Sequence, residues 1–249
     1  MVCVLTGAGS GLGRALAVEL TRRGISVAGF GRHQAALEET ARLTTPGRFA
    51  AFVVDVADAA AVDRAFEDVT AQIGAVDILI NNAAVYPYRD FLDTPAADFM
   101  QTVAINLGGV VNCSSAALRG MVLTGRGRIL NVATFADIAP LAASSAYSVS
   151  KGAARILTRA LVADLADRFP EIVINDWVPG ALSTEMGIPH GLDPATASRW
   201  GADLALWQDP SLNGTIWARD QEQLPPRSLK SRMLERLRLR RAPIARRLT

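Results

Sequence analysis

The chain opens on the feature that limits its fold most. The apolar run Val2-Cys3-Val4-Leu5 leads directly into Thr6-Gly7-Ala8-Gly9-Ser10-Gly11-Leu12-Gly13, after which Leu12, Leu16, Val18 and Leu20 begin a helical pattern. That is a strand, a glycine-rich turn and a helix. Such a turn lets backbone approach a pyrophosphate closely and aims the free N–H groups and positive dipole end of the helix at it. The spacing is T-G-x-x-x-G-x-G, one residue longer in its first gap than G-x-G-x-x-G, and a merely tight turn is the competing reading.

Further apolar runs at residues 25–30, 49–54, 76–80, 128–132 and 172–178 alternate with helical stretches at about 34–43, 58–73, 95–123 and from Tyr147 to about 169. Strands alternating with helices of this length imply right-handed crossovers and a parallel sheet covered on both faces. A helix at 194–206 and a last strand at 213–218 complete the pattern. The expected fold is α/β, a single Rossmann-like doubly wound sheet of about seven strands over residues 1–226, followed by a basic helical tail at 227–249. Ligands of such sheets lie at the carboxyl ends of strands, where Thr6, Asp55 and Asn81 fall.

Composition adds limits. With 249 residues, 50% of them apolar, the chain can bury one large core, and no linker divides it before the C-terminus. The two cysteines, Cys3 and Cys113, sit among apolar or small residues, so neither disulfides nor a metal site is expected, and a reducing, cytoplasmic setting is. With the first strand beginning at Val2 no signal peptide is expected, and no uncharged run reaches the roughly 18 residues of a membrane span. Residues 227–249 carry nine basic side chains and one acid, a charge of +8; taken from the total of +2, this leaves −6 on residues 1–226. Only the tail could recruit polyanions.

Two side chains suggest chemistry. Tyr147 and Lys151 stand four apart and share a helix face, where a cation beside a phenol lowers its pKa and fits it for proton transfer. Alone, such a pair is more often solvent-facing. Asn106 lies inside an apolar helical stretch, a poor place for asparagine, and either serves a site or satisfies neighbouring backbone. After the second strand, Gly31-Arg32 occupies the place of the acid that binds ribose hydroxyls in NAD enzymes. A guanidinium there suits a 2′-phosphate, so NADP(H) is expected in preference to NAD(H), a surface arginine being the alternative.

Taken together, these motifs resemble the short-chain dehydrogenase/reductase family from Thr6 to about Gly214. The glycine loop is Thr6 to Gly13, the adenine-contacting acid Asp55 with Val56 beside it, and N-N-A-G reads Asn81, Asn82, Ala83, Ala84. Asn106, Tyr147 and Lys151 match the family's helix asparagine and Y-x-x-x-K, and Pro179, Gly180 and Thr184 its P-G-x-x-x-T. The resemblance implies a ketone reductase, or a secondary-alcohol dehydrogenase, working as a homodimer or homotetramer, and the mostly apolar segments expected to line the pocket suit an apolar substrate. The glycine loop (Thr6, Gly7, Gly9, Ser10, Gly11, Leu12, Gly13) would hold the pyrophosphate, with Asn82, Ala83, Ala84, Pro179, Gly180 and Thr184 also on the cofactor. Lys151 would hold the nicotinamide ribose and lower the Tyr147 pKa. Tyr147 would move the proton, Thr134 and Phe135 would meet the substrate, and Asn106 would position a water.

The chain departs from that pattern at three places. Thr134 replaces the family serine, and its methyl crowds the pocket; Ser144 and Ser145 are alternative hydroxyls. Ala84 replaces a glycine. The tail places Leu229, Met233 and Leu237 at helical spacing among arginines, suiting packing on the body or a second subunit, an acidic partner, a polyanion or an anionic membrane. No aromatic residues interleave with its arginines, so nucleic-acid binding is not expected. Two further classes stay open: a nucleotide-binding scaffold without catalysis, and a protein acting through its tail. The segments 85–88, 135–143 and 186–192 would line the pocket; they are mostly apolar, with a lone His190 read as a surface residue.

Overall fold

The computed structural model describes residues 1–225 and 244–248. Its strands are β1 (Val2–Thr6), β2 (Ser26–Gly31), β3 (Phe49–Val53), β4 (Ile78–Asn81), β5 (Arg126–Val132), β6 (Glu171–Val178), β7 (Ile216–Ala218) and β8 (Gln221–Gln223). They form one sheet in the order β3-β2-β1-β4-β5-β6-β7-β8. The first seven run parallel and β8 turns back antiparallel on β7. The eighth strand was not expected from the sequence: Gln221-Glu222-Gln223 is short and polar and reads as loop.

The helices are α1 (Gly11–Arg22), α2 (Gln34–Leu43), α3 (Ala59–Gln72), α4 (Ala96–Val103), α5 (Gly109–Thr124), α6 (Ser145–Leu165) and α7 (Pro194–Leu206). Strand residues alternate between the two faces. Leu5, Trp177 and Trp217 pack with α1 and α7 on one side, and Val4, Ile129 and Ile174 with α3 and α5 on the other. Each such side chain, fully buried, contributes about 1.5–3 kcal/mol. The single helix expected over 95–123 is interrupted by a π-helical turn, Ala104–Gly108, that contains Asn106. The strand order reverses between β1 and β4, which puts the switch point beside the glycine-rich turn.

The end of the chain joins the sheet. Gln221 bridges antiparallel to Arg247, Glu222 N donates to Arg246 O at 3.0 Å and Leu248 N to Asp220 O at 2.8 Å. Leu248 packs against the first core, Arg246 pairs with Glu222 and Arg247 with Asp220. These two arginines are therefore engaged within the chain. The amphipathic helix expected around 229–237 lies outside the described residues.

Candidate active site

The glycine turn is shaped by its own walls. Gly7 has φ +66°, and a Cβ there would stand 2.9 Å from Asn82 Nδ2; at Gly13 it would stand 2.0 Å from Gly7 O. Asn82 Nδ2 donates to Thr6 O at 2.9 Å, and Thr6 Oγ1 accepts the Asn82 and Ala83 N–H groups, both at 2.9 Å, lashing β1 to the end of β4. The Ser10 side chain caps no N–H of α1, and the first bond of that helix is Arg14 N to Ser10 O. The N–H groups of Gly11, Leu12 and Gly13 precede that ladder, the arrangement that receives an anion. Thr184, in the segment after β6, lies against Gly11, where a Cβ would meet its Cγ2 at 3.3 Å. The first and last motifs of the sequence thus meet over the turn, a cradle that fits a dinucleotide. Ala84 is absent from the positive-φ residues, so alanine sits there without strain.

Lys151 Nζ donates to Val132 O at the end of β5, 2.8 Å away. The lysine is 4% exposed, and burial pulls its ammonium down to about 8, against the pull of Asp176. Thr134 Oγ1 accepts Ala136 N–H at 3.2 Å, and its hydroxyl lies near enough to the Tyr147 phenol to favour the ionised form. The ring of Tyr86 covers that of Tyr147, centroids 4.5 Å apart and planes at 31°. Burial raises the Tyr147 phenol above its ordinary value, the Thr134 hydroxyl opposes this and Tyr86 adds to it. The lowering expected from Lys151 is not among these influences: the lysine is turned to the Val132 carbonyl, and desolvation governs the phenol.

Asn106 is fully buried. Its Oδ1 accepts Val85 N–H at 2.8 Å, and its Nδ2 donates to Val85 O at 2.9 Å and Ser150 Oγ at 3.0 Å. It braces the loop after β4 against α6, the backbone-satisfying alternative its sequence position left open. Ser144 Oγ is committed to Leu141 O and Ser148 Oγ, which removes it as a substitute for Thr134. Leu12 and Val56 turn into the two cores, so any part they play at the cradle falls to backbone. Asp55 Oδ1 accepts Ala57 N–H at 3.0 Å. Arg32 is exposed past the end of β2, Pro179 is buried, and Gly180 takes φ +97° beside the Arg219 side chain. Phe135, Tyr88, Leu141, Met186 and Ile188 are exposed on the three loops expected to line the pocket, as is His190.

Sequence reasoning passed over Asp176 on β6. An acid in the middle of an apolar strand run was the available signal.

A parallel sheet with a glycine cradle at its switch point places the protein among the dinucleotide-binding α/β proteins. A model of the short chain dehydrogenase family matches residues 1–193, and the chain belongs to that family. It is 41% identical over 164 residues to "Probable oxidoreductase EphD" of Mycobacterium tuberculosis, a match covering 65% of this chain but only 28% of that protein. Over 192 residues it is 36% identical to 2-(R)-hydroxypropyl-CoM dehydrogenase of Xanthobacter autotrophicus, covering 74% of this chain and 76% of that one. L-xylulose reductase of Mesocricetus auratus is 34% identical, with 78% and 77% covered. A crystal structure of a short chain dehydrogenase from Bacillus anthracis superposes with a TM-score of 0.82 at 23% identity, covering 88% of this chain and 94% of that one, a likeness of fold.

Proposed function

We propose that the protein is an NADP(H)-dependent oxidoreductase that reduces the ketone of an apolar small molecule, or oxidises the matching secondary alcohol. The observation that carries this reading is the pair of neighbouring hydroxyls, Thr134 and Tyr147, with a buried lysine one turn further along the tyrosine helix. Two hydroxyls so placed can hold one carbonyl oxygen between them. When bound, the nicotinamide would supply or accept the hydride. Tyr147 gives its proton to the substrate oxygen in reduction and takes it back in oxidation. Burial raises the phenol above its ordinary value, so at neutral pH it rests in the protonated form that can donate. Thr134 orients the oxygen, Lys151 is the buried cation of the site and would hold the nicotinamide ribose, and Asn106 fixes the loop carrying Tyr86. Arg32 meets the 2′-phosphate and Asp55 the adenine, while the exposed apolar side chains at 88, 135, 141, 186 and 188 suit an apolar substrate.

Tyr147→Phe is expected to lower NADPH oxidation across a ketone panel by at least about a hundredfold, with NADPH still bound by fluorescence titration. Near-parental turnover in that variant would sink the assignment. Arg32→Ala should weaken NADPH far more than NADH, and equal losses would remove the 2′-phosphate role.

The same reading places the protein in the cytoplasm as a homodimer built on α5 and α6. Between them lies an apolar groove of about 370 Å³, lined by Val111, Leu118, Val122, Leu157 and Leu161, with Val149 and Ile156 exposed on α6. A second copy presents the same helices and so the same apolar face, as a two-fold interface requires. A monomeric mass in light scattering would exclude this.

A further inference from the structure

Asp176 is an acid that strand packing alone does not call for. It is 2% exposed, on the face of β6 that meets α6, where Thr158 Oγ1 donates to its Oδ1 at 2.7 Å. A line of buried donors ends there. Asn81 Nδ2 donates to Asn131 Oδ1 at 2.8 Å, Asn131 Nδ2 to Thr158 Oγ1 at 2.9 Å, and Thr158 to the carboxylate. Every bond in this line is given in the same direction, so each polarises the next toward a negative acceptor. A protonated Asp176 would still accept from Thr158 through its carbonyl oxygen, but as a weaker acceptor than the carboxylate.

The same architecture brings Lys151 alongside. In the parallel register of β5 and β6, Asp176 pairs with Asn131, the residue before Val132, whose carbonyl receives the Lys151 ammonium. Lys151 and Thr158 are seven residues apart, two turns along one face of α6. Carboxylate and ammonium therefore share the buried space between β5, β6 and α6. The other charges facing Asp176 are Arg155 and Arg159 of α6, and Arg155 is itself paired to both oxygens of Asp137 in the loop after β5. A cleft of about 340 Å³ lined by Asp137, Arg155, Arg159 and Asp176 opens this space to water. Burial pushes Asp176 up to about 7 and Lys151 down to about 8, and each charge opposes the effect on the other.

We infer that Asp176 is a positioning residue for the Tyr147–Lys151 pair, its carboxylate keeping Lys151 in the ammonium form inside the sheet–helix interface. This rests on the proposed role of Lys151 as the cation of the Tyr147 site, and it names the source of that charge. The sequence makes the idea directly measurable, because Lys151 is one of two lysines in the chain, the other being Lys230.

Full-length protein labelled with ¹³C at lysine Cε gives two resonances, assigned with Lys230→Arg, and their pH titration reads Lys151. Asp176→Asn keeps the side-chain size and an acceptor for Thr158, and it is expected to lower the Lys151 midpoint by about one unit. Thr158→Val, which removes the last donor to the carboxylate, should lower the midpoint by less, and Thr158→Ser should restore it. A Lys151 midpoint that stays or rises in folded Asp176→Asn overturns the inference. If that variant does not fold, the Thr158 pair decides: a lower midpoint in Val than in Ser supports it, and equal midpoints overturn it. The titration needs neither substrate nor cofactor. A protein that never oxidised NADPH would therefore sink the proposed function and leave this result to stand or fall by itself.

Discussion

Removing the Arg246 guanidinium tests how the end of the chain is held. Arg246 gives Glu222 two parallel bonds, Nε to Oε2 at 2.8 Å and Nη2 to Oε1 at 2.9 Å, and reaches Ser211 Oγ at 2.7 Å and Ser211 O at 3.2 Å. It also lies 5.5 Å and 5.8 Å from the ring centroids of Trp207 and Trp217. The Glu222 side chain is 9% exposed and that of Arg246 28%. Charge-assisted bonds contribute about 1.5–3 kcal/mol, and a cation over an aromatic face open to water adds about 0.5–1 kcal/mol. Stranding a buried carboxylate costs up to about 3–5 kcal/mol, a figure reduced here because water can enter where the partly exposed arginine stood. Arg246→Ala is therefore expected to destabilise the protein by about 2–3 kcal/mol, or about 4–12 °C in melting midpoint.

Urea unfolding would measure the loss, and a double-mutant cycle would locate it. Arg246→Ala combined with Glu222→Gln should recover about 1 kcal/mol over the single variant, since no charge is then stranded. The pH dependence has a definite sign. Arg246 holds the Glu222 carboxyl below its usual range, so the pair's contribution is complete above the unfolded value of about 4.3 and is lost as pH falls through the depressed one. Parent and Arg246→Ala unfolding within about 0.5 kcal/mol of each other, the scatter of ordinary surface changes, with the same acid limb, would refute the pairing.

Other outcomes follow from single contacts. Gly13→Ala puts a methyl on Gly7 O and should weaken dinucleotide binding, read by fluorescence titration, by about tenfold or more, equivalent to about 1.4 kcal/mol. Thr134→Val removes the hydroxyl that meets Tyr147 and should cut kcat by about a hundredfold, whereas Thr134→Ser, which keeps it, should remain active in the same assay. Arg128, fully buried on β5, donates to Ile129 O, Val173 O, Asn175 Oδ1 and Leu204 O. Arg128→Met leaves these acceptors unmet and should lower the urea midpoint by an amount equivalent to about 3 kcal/mol, with little change in slope.

The sheet was legible in the sequence because its strands read as mainly apolar runs alternating with helical stretches, the pattern of a parallel sheet covered on both faces. The glycine turn was legible for a related reason, since the crowding at Gly7 and Gly13 admits no side chain. Legibility failed where tertiary partners decide. Gln221-Glu222-Gln223 becomes a strand because residues 246–248 and β7 pair with it on its two sides, a contact between distant segments that no local pattern encodes. The Tyr147–Lys151 spacing placed both groups on one helix but could not show that Lys151 would turn to Val132 O, or that burial would outweigh charge at the phenol. Asp176 was hidden for the complementary reason: its partners Thr158 and Lys151 lie on another element, and in the sequence it was an isolated acid in a strand.

The π-helical turn at Ala104–Gly108 also sets the phase between two helices. A turn closed from i to i+5 holds one residue more than an α-helical turn, and one residue is about 100° of rotation. With that surplus in place, α5 directs Cys113, Ala117 and Met121 into the core while Val111, Leu118 and Val122 line the groove shared with α6. The same surplus carries Asn106 against Val85. Excising one residue from the turn would swing α5 through more than a quarter of a circle, so the brace behind the tyrosine and the outer apolar face are geared together and neither can be re-aimed alone.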